Sequence, residues 1–222
     1  MRNEWPGRFA LPALEGHYGA SMSETFGLAF VFAWLLAVPS AQAEEVRPDM
    51  LLKTMSDEVV AELRKDKAIQ AGDSARIAAL VEAKIVPNFD FRRITQIAVG
   101  AGWRRATPEQ REKLTAEFKT LLVRTYSGAL ANYRDQTIEF KPLRMKPDDT
   151  EVTVRSQIRQ PGSEPIAIEY DLEKSGSQWK VFDVRISGIS LVATYRTSFA
   201  EEVSNRGLDG LISLLARKNR QS

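Results

Sequence analysis

The sequence predicts an α+β domain in which helices cover the apolar face of a curved antiparallel sheet of about four strands. Over residues 50–133 and again over 191–215, apolar residues recur at three- and four-residue spacing, which is typical of amphipathic helices. Between them, over residues 138–186, apolar and polar residues alternate, which is typical of half-buried strands. Because a sheet with one apolar face needs a cover, the helices on both sides of it in the chain are expected to pack on that face.

The first 43 residues are interpreted as a signal peptide and not as part of the fold. Residues 26–38 form an uncharged apolar run that is short for a membrane span but suits the core of a signal peptide. Ala41 and Ala43 are the small residues that signal peptidase accepts, so cleavage is expected after Ala43, leaving residues 44–222 as a single exported domain. No basic residue flanks the run directly, so either the signal peptide is long or translation begins at Met22. An uncleaved membrane anchor is the alternative interpretation of the run and ranks second to a cleaved signal peptide.

Composition excludes several kinds of chemistry from the expected mature chain. The sequence contains no cysteine, and its single histidine, His17, precedes the expected cleavage site. Thiol chemistry, histidine bases and zinc sites built on these residues are therefore excluded, and no catalysis, metal or cofactor is expected. Without residues 1–43 the chain has 29 basic and 26 acidic residues, a net charge of about +3. These charges are interspersed, which predicts a mixed surface and no nucleic-acid partner.

Three helices are predicted before the first long one. Residues 50–63 place apolar side chains on one side and charged side chains on the other. A second helix over residues 77–85 stops before Pro87, since the residue that precedes a proline is pushed out of helical space. A third ends at residues 100–102, which contain two glycines. This pair is interpreted as a turn and not as a nucleotide-binding loop, because no strand precedes it and Trp103 follows it.

A long helix is predicted to begin at Thr107. Threonine is a preferred N-cap, Pro108 suits the first helical position, and Gln110 completes a capping box. Apolar residues continue to Tyr133, which corresponds to a helix of about six turns. Alternating residues then predict four strands separated by turns, at about residues 138–141, 152–158, 166–172 and 178–187.

The C-terminal segment offers apolar faces from one strand and two helices. In the strand, one face is predicted to carry Phe182, Val184 and Ile186, and the other Val181, Asp183 and Arg185. A helix with an apolar stripe follows from Leu191. Gly207 is expected to close it, because glycine suits the left-handed position past a helix end, and a second apolar stripe starts directly afterwards.

Three segments carry a family resemblance: NFDFRRITQIAVGAGWRRATPEQREKLTAEFKTLLVRTYSGAL, DDTEVTVRSQIR, and WKVFDVRISGISLVATYRTSFAEEV followed by GLDGLISLL. They resemble the MlaC (toluene-tolerance auxiliary) family over about residues 46–217. The resemblance implies an NTF2-like cone and a periplasmic phospholipid carrier, with acyl chains in a deep apolar pocket and the headgroup near solvent. It also implies shuttling of lipid between the outer-membrane MlaA lipoprotein–porin complex and the inner-membrane Mla ABC transporter, which maintains outer-membrane lipid asymmetry.

The pocket is expected between the even-numbered face of the sheet and the apolar stripes of two helices. Its lining is expected to comprise Phe140, Ile168, Phe182 and Val184 on one wall and Leu122, Tyr126, Leu191, Val192, Tyr195 and Phe199 on the other. The candidates for a basic rim are Arg155, Lys180 and Arg185, although solvated strand-face cations are the simpler interpretation. Burial of apolar chains is not directional, so headgroup selectivity is expected to be weak.

Core packing is the simpler interpretation for any one of these apolar residues, and the sequence leaves open whether the volume between sheet and helices stays open. Two other functions therefore remain. An NTF2-like enzyme would use a buried carboxylate, and the strand candidates Asp171 and Asp183 are both expected on the polar, solvated face. A protein-interaction module would have a filled core and a large exposed apolar patch.

Overall fold

A computed structural model of the chain describes residues 46–133 and 135–221. The signal-peptide prediction concerns residues outside these ranges. In chain order the described residues form α1 (Pro48–Lys65), α2 (Lys67–Gln70), α3 (Ser74–Leu80), α4 (Phe91–Val99), α5 (Ala101–Arg105), α6 (Pro108–Ala131), β1 (Thr137–Phe140), β2 (Glu151–Arg159), β3 (Ile166–Ser175), β4 (Gln178–Ile186), β5 (Ile189–Ser190) and α7 (Leu191–Gln221).

The strands form one antiparallel sheet in the order β1-β2-β3-β4-β5, so each strand pairs with its neighbour in sequence. The α+β class, the antiparallel sheet and the helices on both sides of it in sequence are confirmed. The fifth strand was not predicted. It has only two residues, Ile189 and Ser190, which are too few for an alternating pattern to show.

Strand β4 contains a bulge that changes which side chains share a face. In β3, Tyr170 and Leu172 are two residues apart, but their partners in β4, Val184 and Val181, are three residues apart. The alternation of β4 therefore shifts at Phe182. As a result Val181, which is fully buried, and the partly buried Val184 pack in the same apolar cluster. The prediction that placed these two valines on opposite faces is wrong.

The predicted helix boundaries follow local chemistry in three places. Thr107 accepts a hydrogen bond from the Gln110 amide while the Gln110 side chain accepts one from the Thr107 amide, so the capping box of α6 is confirmed. Gly100 separates α4 from α5 at φ 61°, and Gly207 breaks α7 at φ 69°. The break at Gly207 is confirmed, whereas the turn predicted at residues 100–102 is confined to Gly100, because Gly102 lies inside α5.

The second predicted helix differs from the observed one in its last turn. Regular α-helix ends at Leu80, and a π-helical turn, Val81–Ile85, and a 3-10 turn, Val86–Asn88, follow it. The wider π-helical turn changes the direction in which its side chains point, while the chain continues as a helix. Here it brings Val81, Ile85 and Val86 to a cavity described below.

Two apolar clusters lie on either side of that cavity. One packs α4, α5, α6 and α7 around the fully buried Leu114 and Phe118. The other packs Leu52 of α1 onto the inner face of the sheet, against Val154 and Leu172. Among the helices of the described ranges, none is both long enough and apolar enough to cross a bilayer.

Candidate functional site

A cavity of about 500 Å³ lies between the inner face of the sheet and four helices. This volume lies within the range of ~300–1,000 Å³ that is usual for sites that bind small organic molecules. The helical wall comes mainly from α1 and α6 and includes Met55, Val59, Val60, Leu63, Phe118, Leu122, Val123, Tyr126 and Leu130. The sheet wall includes Ile138, Ile158, Ile166, Tyr170 and Val184, and the remaining apolar lining includes Phe89, Phe91, Ile94, Leu191 and Val192.

The cavity opens at one end of the sheet, beside the C-terminus of α6. Its solvent-exposed lining residues all lie there and are Ala129, Asn132, Gln160 and Ile166. Tyr133 and Gln136 line the same end, and their side chains are partly buried. The cavity therefore has an apolar interior and an opening at which the polar side chains of Asn132, Gln136 and Gln160 lie beside the apolar Ala129 and Ile166.

Asp183 is the one residue with a formal charge among the described residues that line the cavity. Its carboxylate accepts hydrogen bonds from the Ser190 hydroxyl at 2.5 Å, the Val184 amide at 2.8 Å and the Val192 amide at 3.3 Å. Ser190 in turn accepts from the Ala193 amide at 2.9 Å, as an N-cap of α7 does. Asp183 is therefore occupied in joining β4 to the start of α7.

Tyr126 places a phenol in the helical wall. Burial, together with the nearby Tyr195 and a hydrogen bond to it, raises the pKa of Tyr126 to about 12. The hydroxyl is therefore neutral at physiological pH and adds no charge to the cavity wall. Burial also raises the pKa of Tyr170 in the opposite wall.

The structure brings five of the ten predicted site residues together at the cavity surface. These are Leu122 and Tyr126 of α6, Val184 of β4, and Leu191 and Val192 at the start of α7. The other five lie elsewhere: Phe140, Ile168, Phe182, Tyr195 and Phe199.

Three of these five residues pack against an aromatic ring that lines the cavity. The other two, Ile168 and Phe182, have other contacts. Phe140 stacks on Tyr170 with ring centroids 6.5 Å apart, and Tyr195 and Phe199 each meet the Phe118 ring edge-on at 5.0 Å. In both cases the partner ring occupies the cavity surface. Ile168 is buried within the sheet opposite Ser156 and Ile186.

Phe182 is displaced by the bulge in β4. The Arg93 guanidinium carbon lies 5.7 Å from its ring centroid, and Arg93 also pairs with Glu173 at 3.3 Å. The ring therefore belongs to a cation–π contact with α4 and not to the cavity lining.

The three residues considered for a basic rim have other partners. Arg155 and Arg185 each bind Glu169 at 2.8 Å, and Arg185 also pairs with Asp171. These hydrogen bonds hold the pKa of Glu169 below its usual value. Lys180 donates to the backbone oxygen of Pro87 at 2.7 Å.

Both strand carboxylates considered for acid–base chemistry are engaged in structural contacts, and Asp183 lines the cavity and not the solvated face that was expected for it. Asp171 binds Arg185 and accepts from the Thr153 hydroxyl at 2.7 Å, and Asp183 joins β4 to α7 as described above. Within residues 46–133 and 135–221, no group of three or more histidine, cysteine or acidic side chains could hold a metal ion.

Two parts of the lining were not predicted. Met55, Val59 and Leu63 of α1 follow helical spacing, so their shared face could be found in the sequence, but nothing there indicates whether this face meets core or cavity. The opening is formed by residues from α6, the loop after it and the end of β2. No sequence pattern connects these segments.

An antiparallel sheet, a helical cover and a largely apolar cavity between them define an α+β domain with the form of a binding site for an apolar or amphipathic small molecule. Comparison with known proteins specifies the class further. The family described as "MlaC protein" matches residues 53–217, and the chain belongs to this family.

Curated relatives and a solved structure agree with this assignment. The chain is 24% identical to the intermembrane phospholipid transport system binding protein MlaC of Haemophilus influenzae over 197 residues, which is 87% of this chain and 92% of the relative. It is 31% identical to the toluene tolerance protein ttg2D of Pseudomonas putida over 106 residues, 48% of this chain and 49% of the relative.

The solved structure is that of a phospholipid-binding protein from Ralstonia solanacearum in complex with a phospholipid. It superposes with a TM-score of 0.74 at 45% sequence identity. The match covers 79% of this chain and 98% of the Ralstonia chain.

Proposed function

We propose that this protein is a phospholipid carrier whose cavity holds acyl chains while the headgroup lies at the opening. The observation that carries the proposal is the cavity of about 500 Å³ with an apolar interior and polar side chains at its opening. The similarity to a Ralstonia protein in complex with a phospholipid supports the ligand class. The relative from Haemophilus, part of an intermembrane phospholipid transport system, supports carriage as the role.

The energetics of acyl chains favour an enclosed site. At ~0.8 kcal/mol per buried methylene, two chains of ~16 carbons bring on the order of 25 kcal/mol of transfer free energy. A shallow groove would leave much of that surface in water. Release into water is therefore unfavourable, and exchange of cargo requires docking on a partner that offers another apolar path.

Family membership supports a proposal for where this exchange takes place. We propose that the protein is exported to the periplasm with cleavage after Ala43. There it would carry lipid between the outer-membrane MlaA lipoprotein–porin complex and the inner-membrane Mla ABC transporter, without catalysing a reaction. The family membership and the engagement of Asp171 and Asp183 in structural contacts support this role.

A tryptophan placed in the cavity tests the proposal. Val184 lines the cavity, so Val184→Trp is expected to occupy the volume of the lipid and to lower the amount of phospholipid recovered per folded molecule. In a closed core the same change would overpack and cost ~1–3 kcal/mol. Bound phospholipid would be measured by mass spectrometry. Stability would be measured on delipidated protein, because a bound ligand raises apparent stability by mass action.

Ala167→Trp is the matched control. Ala167 is exposed and alternates with Ile166, which lines the cavity, so its side chain points to the opposite face of β3. This variant is expected to retain the lipid content of the unchanged protein. The proposed site would be contradicted if delipidated Val184→Trp protein were unfolded while its folded fraction carried as much phospholipid per molecule as the unchanged protein.

A further inference from the structure

Arg64 places a guanidinium beside the cavity opening. It lies in the last turn of α1, directly after Leu63, which lines the cavity and is 4% exposed. The exposed Arg64 side chain donates from Nη2 to the Tyr133 hydroxyl at 3.2 Å. Its guanidinium carbon lies 5.9 Å from the centre of the Tyr133 ring. Because Tyr133 lines the opening, these two contacts fix the cation there.

The surroundings of Tyr133 orient this contact. The Tyr133 hydroxyl donates to the backbone oxygen of Gln136 at 2.8 Å, so the same oxygen is left to accept from Arg64. The Gln136 side-chain amide in turn donates to Oε1 of Gln160 at 3.3 Å. Arg64, Tyr133, Gln136 and Gln160 thus form a connected polar group along one side of the opening.

The charge of Arg64 is not neutralised by a neighbouring acid in the described part of the chain. Arg155, Arg159 and Arg185 each bind a carboxylate at 2.8 Å on the other face of the sheet, whereas no described carboxylate pairs with Arg64. A guanidinium has five N–H donors in a planar fork that matches phosphate oxygens in a bidentate manner. The contact with Tyr133 uses Nη2 and leaves other donors available.

We propose that Arg64 binds the phosphate diester of a phospholipid whose acyl chains occupy the cavity, and this inference rests on the proposed function. A chain that enters the apolar interior leaves its glycerol and phosphate at the opening, where Arg64 is held. All phospholipids share that phosphate. Arg64 therefore selects phospholipid against neutral lipids such as diacylglycerol, and does not select one phospholipid headgroup from another.

Competition between two lipids with the same acyl chains tests the inference. Delipidated protein would be offered phosphatidylglycerol and diacylglycerol together, and the bound ratio would be measured by mass spectrometry. We expect the unchanged protein to prefer phosphatidylglycerol. Arg64→Gln is expected to reduce this preference roughly ten-fold or more, as for loss of a hydrogen bond to a charged group, while diacylglycerol binding stays the same.

Two further variants separate charge from structure. Arg64→Lys keeps the positive charge without the fork and is expected to retain part of the preference. Arg104→Gln is the matched control, because Arg104 is an exposed arginine on α5 without an ion pair to any described residue. It is expected to keep the full preference. An equal loss in Arg104→Gln would show a general effect of protein charge and would overturn the assignment to Arg64.

The remaining outcomes distinguish the inference from the proposed function. If the unchanged protein binds neither lipid, the carrier function itself fails. If it binds both, and Arg64→Gln leaves the ratio unchanged, only the inference is overturned. Inorganic phosphate titrated into delipidated protein by calorimetry is expected to show no binding. Arg64-dependent binding of inorganic phosphate as tight as that of the lipid would assign the site to free phosphate instead.

Discussion

Asp183 shows how a carboxylate can lie in the wall of an apolar cavity when hydrogen bonds from the protein hold both of its oxygens. Its two oxygens accept hydrogen bonds from Ser190, Val184 and Val192, so both oxygens have partners within the protein itself. The same contacts set the first turn of α7, which delivers Leu191 and Val192 to the cavity. The residue therefore supports the site through the position of a helix.

Asp183→Ala is expected to lower the free energy of unfolding by ~0.5–2 kcal/mol, the range for loss of a helix cap. The reason is that the amide of Val192 and the hydroxyl of Ser190 lose their acceptor. Urea denaturation would measure the change. Asp148→Ala, at an exposed position in the turn before β2, is the control and is expected to leave stability nearly unchanged. Equal stability of the two variants would contradict the capping role.

Tyr126 gives the protein a pH dependence in the alkaline range. A tyrosine in an unfolded chain has a pKa of about 10, whereas the folded environment raises the pKa of Tyr126 to about 12. Between these values the unfolded chain binds fewer protons than the folded protein. The stabilisation is therefore complete below about pH 10 and is lost as the pH rises to about 12.

Tyr126→Phe is expected to reduce the loss of stability at alkaline pH. The free energy of unfolding would be measured by urea denaturation across the same pH range, and phenolate absorbance would follow ionisation of the folded protein. The variant should lose one late ionisation step, while Tyr170, whose pKa burial also raises, keeps its own, and it should lose stability with pH less steeply than the unchanged protein. Identical titration curves would contradict the assignment of that step to Tyr126.

At the level of elements, the break in α7 depends on one backbone conformation. Gly207 has φ 69° and ψ −174°, a combination that only glycine adopts readily. Residues before the break bring Val192 to the cavity, and residues after it return along α6, where Asp209 binds Gln110 and Asn219 binds Glu117. Because the chain reverses at Gly207, α7 packs against α6 both before and after the break.

Gly207→Ala is expected to destabilise the protein by ~1–3 kcal/mol through backbone strain, since a Cβ there would meet no atom within 4 Å. Gly128→Ala is the matched control within α6, where a Cβ also meets nothing within 4 Å and φ is not positive. It is expected to stabilise by ~0.4–1 kcal/mol. Denaturant unfolding would measure both. Destabilisation of similar size in both variants would contradict an origin in backbone conformation.

At the scale of the whole molecule, the sheet and the helices act as two separate walls. Leu52 of α1 closes one side by packing on the sheet, while Phe118 of α6 closes the other with α7. The two apolar clusters stabilise the fold without filling the volume between them. This arrangement suits the proposed carrier function.

At the scale of the whole chain, we expect the protein to be exported. When the full sequence is expressed in a Gram-negative host, the periplasmic protein is expected to begin at Glu44, because Ala41 and Ala43 provide the small residues that signal peptidase requires. N-terminal sequencing and intact mass would measure this. Ala43→Arg is the control and should accumulate as the precursor. A mature protein that begins elsewhere, or a full-length form held in the membrane, would contradict the expected cleavage.

Local patterns in the sequence determined the α+β class and most helix starts. The capping box at Thr107 and the break at Gly207 could be predicted because each depends on residues adjacent in the chain. Alternation identified the four long strands for the same reason. These features need no knowledge of what packs against them.

Tertiary structure determines which residues line the cavity wall. A single extra residue in β4 moves Phe182 out of the expected wall, and the sequence carries no mark of it, because a bulge appears only when two strands are paired. Phe118 and Tyr170 occupy positions that were assigned to Phe199 and Phe140, since neighbouring rings on one apolar face compete for the same surface. Sequence periodicity identifies the face but not the ring that reaches the cavity.

The sequence by itself determined the apolar faces of this protein and the absence of cysteine and histidine chemistry after residue 43. Tertiary structure alone decided that those faces enclose a volume, and that Arg64, Tyr133 and Gln160 meet at its opening. The physical reason is distance along the chain. Hydrophobic periodicity is a property of neighbouring residues, whereas an opening forms where the ends of α1, α6 and β2 converge after folding.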